Sequence, residues 1–508
     1  MRGIRIYRNV ISSVLLQIIL AIFGLAIPRM ILKIYGSEIN GLINAISQFI
    51  TYAALIEFGI GDASVALLYK PLAEDNSFAI SDILSGTRKL YFRSAIIYSI
   101  LLMGLAFSYP FLYKNSLSYW FIFDLVVFIG AVNAVDYFFL GKFKVLLMAD
   151  QKYYIINFTR AIATFLLLGV SIVMLSLKFN VVWIKAVALL MHIGEALVLS
   201  TYVKLNYKNV DYYSLNSQKI SQRWNALIHQ ICGTIIYSTD LVVLTLCLPN
   251  HDLLEISVYS VYAMVFSLFN NFTSTIMRSF YASFGDMLAR NEEDNVKNSY
   301  LKFEFIYYIF IFFVCACFAS LIMPFVACYT RGLYDVQYVR IEVAVLFALT
   351  GLSAQVKDTA CIVANAAGKF KETQRFSIEE AIMNIVISLL LVRPMGIVGV
   401  LIGTFIAHVW MDIRYIMYVE NNLILGIGNI TIKRIIRNLF IVIILSVPEI
   451  ILVPIKDNWI CWLLTAVIVA SINISIILLI NGIMEKNMMK NLIKDFQHRL
   501  NKKIEKKG

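Results

Sequence analysis

The chain has 508 residues, of which 60% are hydrophobic and only 15% are charged, and its mean hydropathy is +0.77. Soluble domains average about 45–50% apolar and ~25% charged residues, so this composition excludes a large soluble protein and indicates a polytopic membrane protein. The net charge of +12 is spread over alternate loops, so we expect no nucleic-acid partner.

Fourteen apolar runs follow one another along the chain, with lengths near the ~20 residues that a helix needs to cross a bilayer. They predict an all-α protein with spans at residues 10–32, 41–68, 90–111, 119–140, 153–177, 181–203, 224–248, 254–283, 301–328, 340–365, 376–392, 396–419, 435–453 and 459–483. Lys and Arg concentrate in every second loop and in the tail. By the positive-inside rule, this pattern places both termini in the cytoplasm.

The first twelve spans read as two copies of six. Glu38-Ile39 before span two matches Glu255-Ile256 before span eight at an offset of 217 residues. An even number of spans per copy gives both copies the same orientation. The predicted organisation is an N-lobe at 1–203, a cytoplasmic connector at 204–223, a C-lobe at 224–419, two further spans at 433–484 and a basic tail at 485–508. The tail is expected either to lie on the anionic inner leaflet as an amphipathic helix or to be solvated.

The opening hairpin, with a predicted loop at 33–40, carries a polar stripe on its second span. On a helical wheel, one narrow sector holds Asn44, Ser47, Gln48, Thr51 and Asp62. Such a stripe is unfavourable against lipid and suits a hydrated cavity. Glu57 falls away from this sector, so any role for it requires a different neighbour.

Polar faces recur in other spans, where they favour a central hydrated cleft over simple contacts between helices. Asp240 lies on such a face in span seven and Asn270 in span eight. Six basic residues also lie within apolar runs: Arg29, Arg160, Lys185, Arg278, Lys357 and Arg414. Those near span ends either snorkel to the interface or act in function, whereas Arg160 and Lys357 are deeper and favour the cavity. Guanidinium and ammonium groups there would suit an anionic ligand.

The acidic residues within the spans leave two interpretations open. Asp62 and Asp240 could bind a coupling ion, Na⁺ or H⁺, or could pair with the basic residues inside the bundle. His192 and Glu195 are one turn apart in span six, and a hydrogen-bonded structural pair is favoured over a proton relay. The sequence contains no phosphate-binding, zinc-protease or nucleophile-elbow motif, so we expect no enzyme, no cofactor and no metal site.

Several short motifs resemble one transporter group. They are Pro28-Arg29 with Tyr35-Gly36, Glu57-Phe58-Gly59-Ile60-Gly61 in span two, Met148-Ala149-Asp150-Gln151 before span five, Asn365-Ala366-Ala367-Gly368-Lys369 before span eleven and Gly396-Ile397-Val398-Gly399 in span twelve. In this order and spacing, the chain resembles the polysaccharide transporters, the Wzx-type oligosaccharide flippases of the multidrug/oligosaccharidyl-lipid/polysaccharide (MOP) exporter superfamily.

The resemblance implies a MATE-like, V-shaped pair of lobes in a bacterial plasma membrane, alternating between inward- and outward-facing states. It implies an undecaprenyl-pyrophosphate-linked oligosaccharide as substrate, with its lipid tail along spans thirteen and fourteen. Polysaccharide polymerase and glycosyltransferases would be partners. The cavity candidates are then Arg29, Asn44, Gln48, Asp62, Arg160, Asp240, Asn270, Arg278 and Lys357.

Three functions compete at this point. The first is the oligosaccharide flippase, and a lipid II-type flippase is a close variant of it. The second is a cation-coupled multidrug exporter, which requires an acidic cavity and is kept open by Asp62 and Asp240. The third, a scaffold without transport activity, leaves the charged faces of so many spans unexplained.

Overall fold

A computed structural model describes residues 2–113, 117–212, 223–289, 293–455 and 458–505. Side chains are described for these residues apart from 2–7, 10, 223–230, 237, 250, 272, 274–283, 285–289, 293–295, 495, 496 and 498–505. The secondary structure assigned to the described residues is helical throughout, as the sequence predicts.

The first part of the described chain contains nine α-helices. They are α1 (Arg2–Ala53), α2 (Ile60–Ala73), α3 (Ser77–Ser108), α4 (Tyr119–Val135), α5 (Gly141–Ala149), α6 (Tyr153–Ser176), α7 (Val181–Asn206), α8 (Arg223–Cys247) and α9 (Leu253–Ala289). The rest of the described chain contains seven more. They are α10 (Glu293–Tyr329), α11 (Ile341–Val356), α12 (Asp358–Ala366), α13 (Phe370–Asn422), α14 (Gly428–Leu452), α15 (Trp459–Met484) and α16 (Lys486–Glu505).

Each of the fourteen predicted spans coincides with helical residues. Among the described residues, ten helical segments are long and apolar enough to cross a membrane, and two of them, Ile11–Ala73 and Phe370–Asn422, have the length of two spans. Predicted spans seven and ten correspond to α8 and to α11 with α12. The protein is therefore an all-helical, multi-pass membrane protein.

The connections within the two double-length segments differ from the prediction. The expected loop at 33–40 is helical except at Gly36, whose φ of 83° breaks the helix at one residue. Gly396, with φ of 56°, does the same between spans eleven and twelve. Because glycine lacks a Cβ, it adopts these left-handed angles at little cost and lets two helices join without a loop.

The chain forms two compact units. One comprises Met1–Ser260 with Gly332–Val336, and the other comprises Val261–Arg331 with Gln337–Gly508. The division into lobes at the 204–223 connector stays a prediction.

In the first unit, α1 and α9 meet closely just after the Gly36 break. The Asn40 side chain donates a hydrogen bond of 2.8 Å to the Ser257 hydroxyl, and both residues are buried. A Cβ on Gly41 would lie 2.0 Å from the Leu253 carbonyl oxygen, so this approach requires glycine. Asn40 and Ser257 are 217 residues apart, which is the offset of the proposed repeat, so matching positions of the two copies contact each other.

In the second unit, a buried arginine joins three helices. The Arg434 guanidinium of α14 lies 2.7 Å from Glu304 of α10 and 2.5 Å from Glu485, which follows α15. Arg437 adds a second contact of 2.7 Å to Glu485. A buried arginine needs such partners because an unpaired charge within protein or lipid is costly.

Candidate functional site

A polar cavity of about 340 Å³ lies in the first unit, among α2, α3 and the α4–α5 segment. Three carboxylates and one ammonium group line it: Glu57, Asp62, Asp136 and Lys144. The remaining lining is formed by small, aromatic and apolar residues: Phe58, Gly59, Gly61, Tyr91, Tyr137, Gly141, Val145 and Met148.

Two helix interruptions position these groups. Span two changes to a short 3-10 turn at Ala54–Glu57, and Gly59 then takes a left-handed conformation (φ 80°) before α2 begins. Span four contains a π-helical turn at Asp136–Leu140, a feature that often marks functional sites. Both interruptions turn an acidic side chain towards the same space.

The backbone groups released by the break in span two are satisfied by neighbouring side chains. Tyr137 donates to the Ala54 carbonyl at 3.3 Å, and Ser94 donates to the Ile56 carbonyl at 3.3 Å. Irregular backbone persists at membrane depth only where protein groups or water replace the lost hydrogen bonds. The break in span two is therefore supported by side chains of the neighbouring helices in the first unit.

The break also corrects the predicted polar stripe. Asn44, Ser47 and Thr51 lie in the regular part of α1, and each donates a hydrogen bond to a backbone carbonyl of its own helix, four residues earlier. Gln48 is partly buried in the same part of α1. Asp62 follows the interruption, so the continuous wheel that placed it beside the other four was wrong.

Glu57 and Asp62 line the same cavity, although the helical wheel placed them on different faces. The Glu57 carboxylate accepts a hydrogen bond of 2.7 Å from the Tyr91 hydroxyl. The Tyr91 ring packs on Gly141, where a Cβ would lie only 2.5 Å from the ring. The helical wheel missed this residue because it assumed an unbroken helix; the Gly59–Ile60–Gly61 sequence was the signal for the break.

A chain of charged groups extends from the cavity into the helices behind it. Lys144 contacts both carboxylate oxygens of Asp136, at 2.8 and 2.9 Å. His192 lies 2.9 Å from Asp136 and 3.0 Å from Glu195, and Arg160 lies 3.4 Å from Glu195. The predicted hydrogen-bonded pair of His192 and Glu195 is confirmed, and Arg160 is an ion-pair partner of Glu195.

A second polar cluster lies in the second unit, where span ten is interrupted between α11 and α12. Lys357 occupies the junction, 3.3 Å from Glu380 of α13, and Glu380 accepts a contact of 2.8 Å from His408. On the α10 side, the Tyr307 hydroxyl lies 2.8 Å from Asp358 and 2.9 Å from Gln355. The ammonium group of Lys357 therefore has an acidic partner and is not an isolated cation in a cavity.

An apolar cavity of about 350 Å³ adjoins this cluster. It is lined by residues of α10, α11, α13 and α14, among them Leu352, Ile413, Ile416 and Ile435, with Asp412 and Ser353 as the two polar members. The resemblance placed a lipid groove along spans thirteen and fourteen. The structure has an apolar cavity at span thirteen, shared with spans nine, ten and twelve, and its use by a lipid tail stays a prediction.

The other candidates lie apart from these two clusters. Asp240 is buried and accepts a hydrogen bond of 2.8 Å from Tyr259 in the first unit. Asn270 accepts one of 2.5 Å from Gln355 in the second. Arg29 is partly buried in α1, directly after Pro28. The side chain of Arg278 lies outside the described residues.

The fold is that of MOP-superfamily transporters. No family model and no curated protein matches the sequence, but solved structures match the fold. The chain is similar to the lipid II flippase MurJ in its inward closed conformation, with a TM-score of 0.66 and 14% identity over 95% of this chain and 99% of that one.

Two further structures show the same fold. One is an inward-facing multidrug resistance MATE family transporter of the MOP superfamily (TM-score 0.61, 12% identity, 79% of this chain and 95% of that one). The other is a MOP superfamily transporter from Pyrococcus furiosus whose binding pocket is described as having reverse polarity (TM-score 0.51, 13% identity, 82% and 94%).

Proposed function

We propose that the protein is a flippase that moves a polyprenyl-pyrophosphate-linked oligosaccharide repeat unit across the bacterial plasma membrane by alternating access. The observation that carries the proposal is the length of the shared fold. The structural match to the lipid II flippase covers 95% of this chain, whereas the match to the multidrug transporter covers 79%. A lipid-linked glycan is thus the substrate class favoured by the whole chain.

The apolar cavity of α10, α11, α13 and α14 supports a substrate with a long hydrocarbon chain. Its lining is almost entirely aliphatic and aromatic, and burial of such surface against an isoprenoid is favourable in proportion to area. The headgroup would then contact polar groups of the protein outside this apolar cavity. Polysaccharide polymerase and glycosyltransferases, which use and supply such a lipid, are the partners that this function requires.

Depletion of the protein provides the test. Labelled lipid-linked glycan is followed in intact cells and in inverted vesicles. A glycosidase added from outside cleaves the glycan on the exposed face, which is the outer face in cells and the cytoplasmic face in inverted vesicles. The proposal requires glycan to accumulate on the cytoplasmic face after depletion. Normal appearance on the outer face, together with changed drug sensitivity, would identify an exporter instead.

The polar cavity of the first unit is the specific observation that favours a cation-coupled multidrug exporter as the second candidate. Three carboxylates face one lysine there, which suits a cationic ligand better than a pyrophosphate. For an exporter, Glu57→Gln and Asp62→Asn would each abolish resistance to cationic drugs and leave glycan assembly unchanged. A glycan defect without a change in drug resistance would exclude this candidate.

A further inference from the structure

The helix that follows the last span has two unlike faces. Met488, Met489 and Leu492 of α16 pack against an apolar cluster formed by α10, α14 and α15. The same cluster includes Ile476 and Ile480 of α15, so the first two turns of α16 lie beside the end of the last span. The apolar face that would otherwise enter lipid is therefore partly covered by the protein itself.

The opposite face of α16 carries a row of lysines. Lys486, Lys490 and Lys494 are spaced by four residues and all three are exposed. At ~100° per residue they fall within one sector, on average about 150° from the sector of Met488, Met489 and Leu492. At about 1.5 Å per residue the row is ~12 Å long. We name Lys486, Lys490 and Lys494 the lysine row.

Two acids directly adjoin this row along the chain; the one before it is already engaged, and the side chain of the other, Asp495, lies outside the described residues. Glu485 directly precedes α16, and its carboxylate is held by Arg434 and Arg437 at 2.5 and 2.7 Å. Within the described part of the chain, no ion pair involves a member of the lysine row. Because all three lysine side chains are exposed, the row presents its positive charge outward.

Exposed apolar side chains adjoin the lysine row along the chain. Ile493 is 51% exposed, and Ile483 and Met484 at the end of α15 are each 66% exposed. Apolar groups beside a row of ammonium groups, at the end of a membrane span, match the layout of a phospholipid, whose charged headgroup adjoins its hydrocarbon chains. A neutral headgroup offers nothing that lysine favours, whereas an anionic headgroup offers phosphate oxygens.

We propose that the lysine row of α16 is a binding surface for anionic phospholipid headgroups. The protein holds α16 beside the end of its last span through its packed apolar face and the Arg434–Glu485–Arg437 contacts, so the helix is already ordered before the lysines bind. This inference is independent of the transported substrate, and it concerns the resident lipids of the membrane.

The test uses the full-length protein, delipidated in detergent and titrated with phosphatidylglycerol or phosphatidylcholine, with bound lipids counted by native mass spectrometry. Each lysine near an anionic surface is worth about fivefold in affinity. Wild type is expected to bind phosphatidylglycerol at least about tenfold more tightly than phosphatidylcholine. The triple variant K486Q/K490Q/K494Q is expected to lose most of this preference.

Two matched variants control the test. K70Q/K208Q/K371Q removes the same charge from three exposed lysines elsewhere in the chain and is expected to keep the preference. K486R/K490R/K494R retains the charge and is also expected to keep it. Wild-type preference in the triple glutamine variant, or equal loss in the control lysines, would overturn the proposal. Competition by inorganic phosphate as strong as that by phosphatidylglycerol would also overturn it, because the ligand would then be a free anion.

Discussion

The ion pair between Lys357 and Glu380 gives the sharpest test of which intramembrane charges are structural. The side chains are 13% and 1% exposed, respectively, and their charged atoms are 3.3 Å apart. Replacing Lys357 by Met leaves Glu380 buried with His408 as its remaining close partner. Removing one member of a buried pair costs about 3–5 kcal/mol, because the other charge stays behind without compensation.

The double variant K357M/E380Q removes both charges and should recover most of that loss. We expect K357M to be destabilised by about 3 kcal/mol or more and the double variant by less than about half as much, giving a coupling energy well above the ~0.5 kcal/mol expected for independent sites. The measurement is urea unfolding in detergent micelles of wild type, both single variants and the double variant. The partly exposed pair Arg375–Glu379 serves as the control cycle, with an expected coupling below about 1 kcal/mol.

Additive losses in the Lys357–Glu380 cycle would refute the structural reasoning. If K357M also kept wild-type stability and lost flipping of lipid-linked glycan, the lysine would act on the substrate, as the sequence first indicated. Loss of stability with flipping retained in the double variant would assign the pair to the architecture of the second unit.

Two further predictions concern packing and pH. Gly41→Ala should destabilise the protein by about 1–3 kcal/mol or prevent folding, because its Cβ would lie 2.0 Å from the Leu253 carbonyl oxygen. The control variant Gly24→Ala should be neutral, because a Cβ there would have no neighbouring atom within 4 Å. Equal thermal stability of the two variants would contradict this prediction. Burial by itself raises the pKa of Glu485. The hydrogen bonds and positive charges of Arg434 and Arg437 lower it by more, so the pKa stays below the ordinary 4.5. Its contribution to stability is then complete above pH 4.5 and is lost as the pH falls through the lower folded-state pKa. Glu485→Gln should therefore lower thermal stability at pH 7 and flatten its decline below pH 4.5; a decline as steep as that of wild type would show that other groups control it.

Hydropathy alone predicted most of the fold. Twelve of the fourteen predicted spans coincide with described helices that are long and apolar enough to cross a membrane, because the thickness of the bilayer fixes the length of such a helix. The pairing of His192 with Glu195 also followed from helical periodicity, since residues three or four positions apart share a face. These features depend on local spacing, which the sequence contains.

The candidate sites depended on contacts between distant residues and on departures from regular helix. Glu57 and Asp62 reach one cavity because span two breaks at Ala54–Glu57 and Gly59, where a continuous helical wheel no longer applies. Lys357 and Arg160 were expected in an anion-binding cavity, and only packing brought Glu380 and Glu195 to their charges. Sequence shows that a charge lies within a span, but its role depends on the partner that tertiary structure places beside it, because a buried charge without an opposite charge nearby is strongly destabilising.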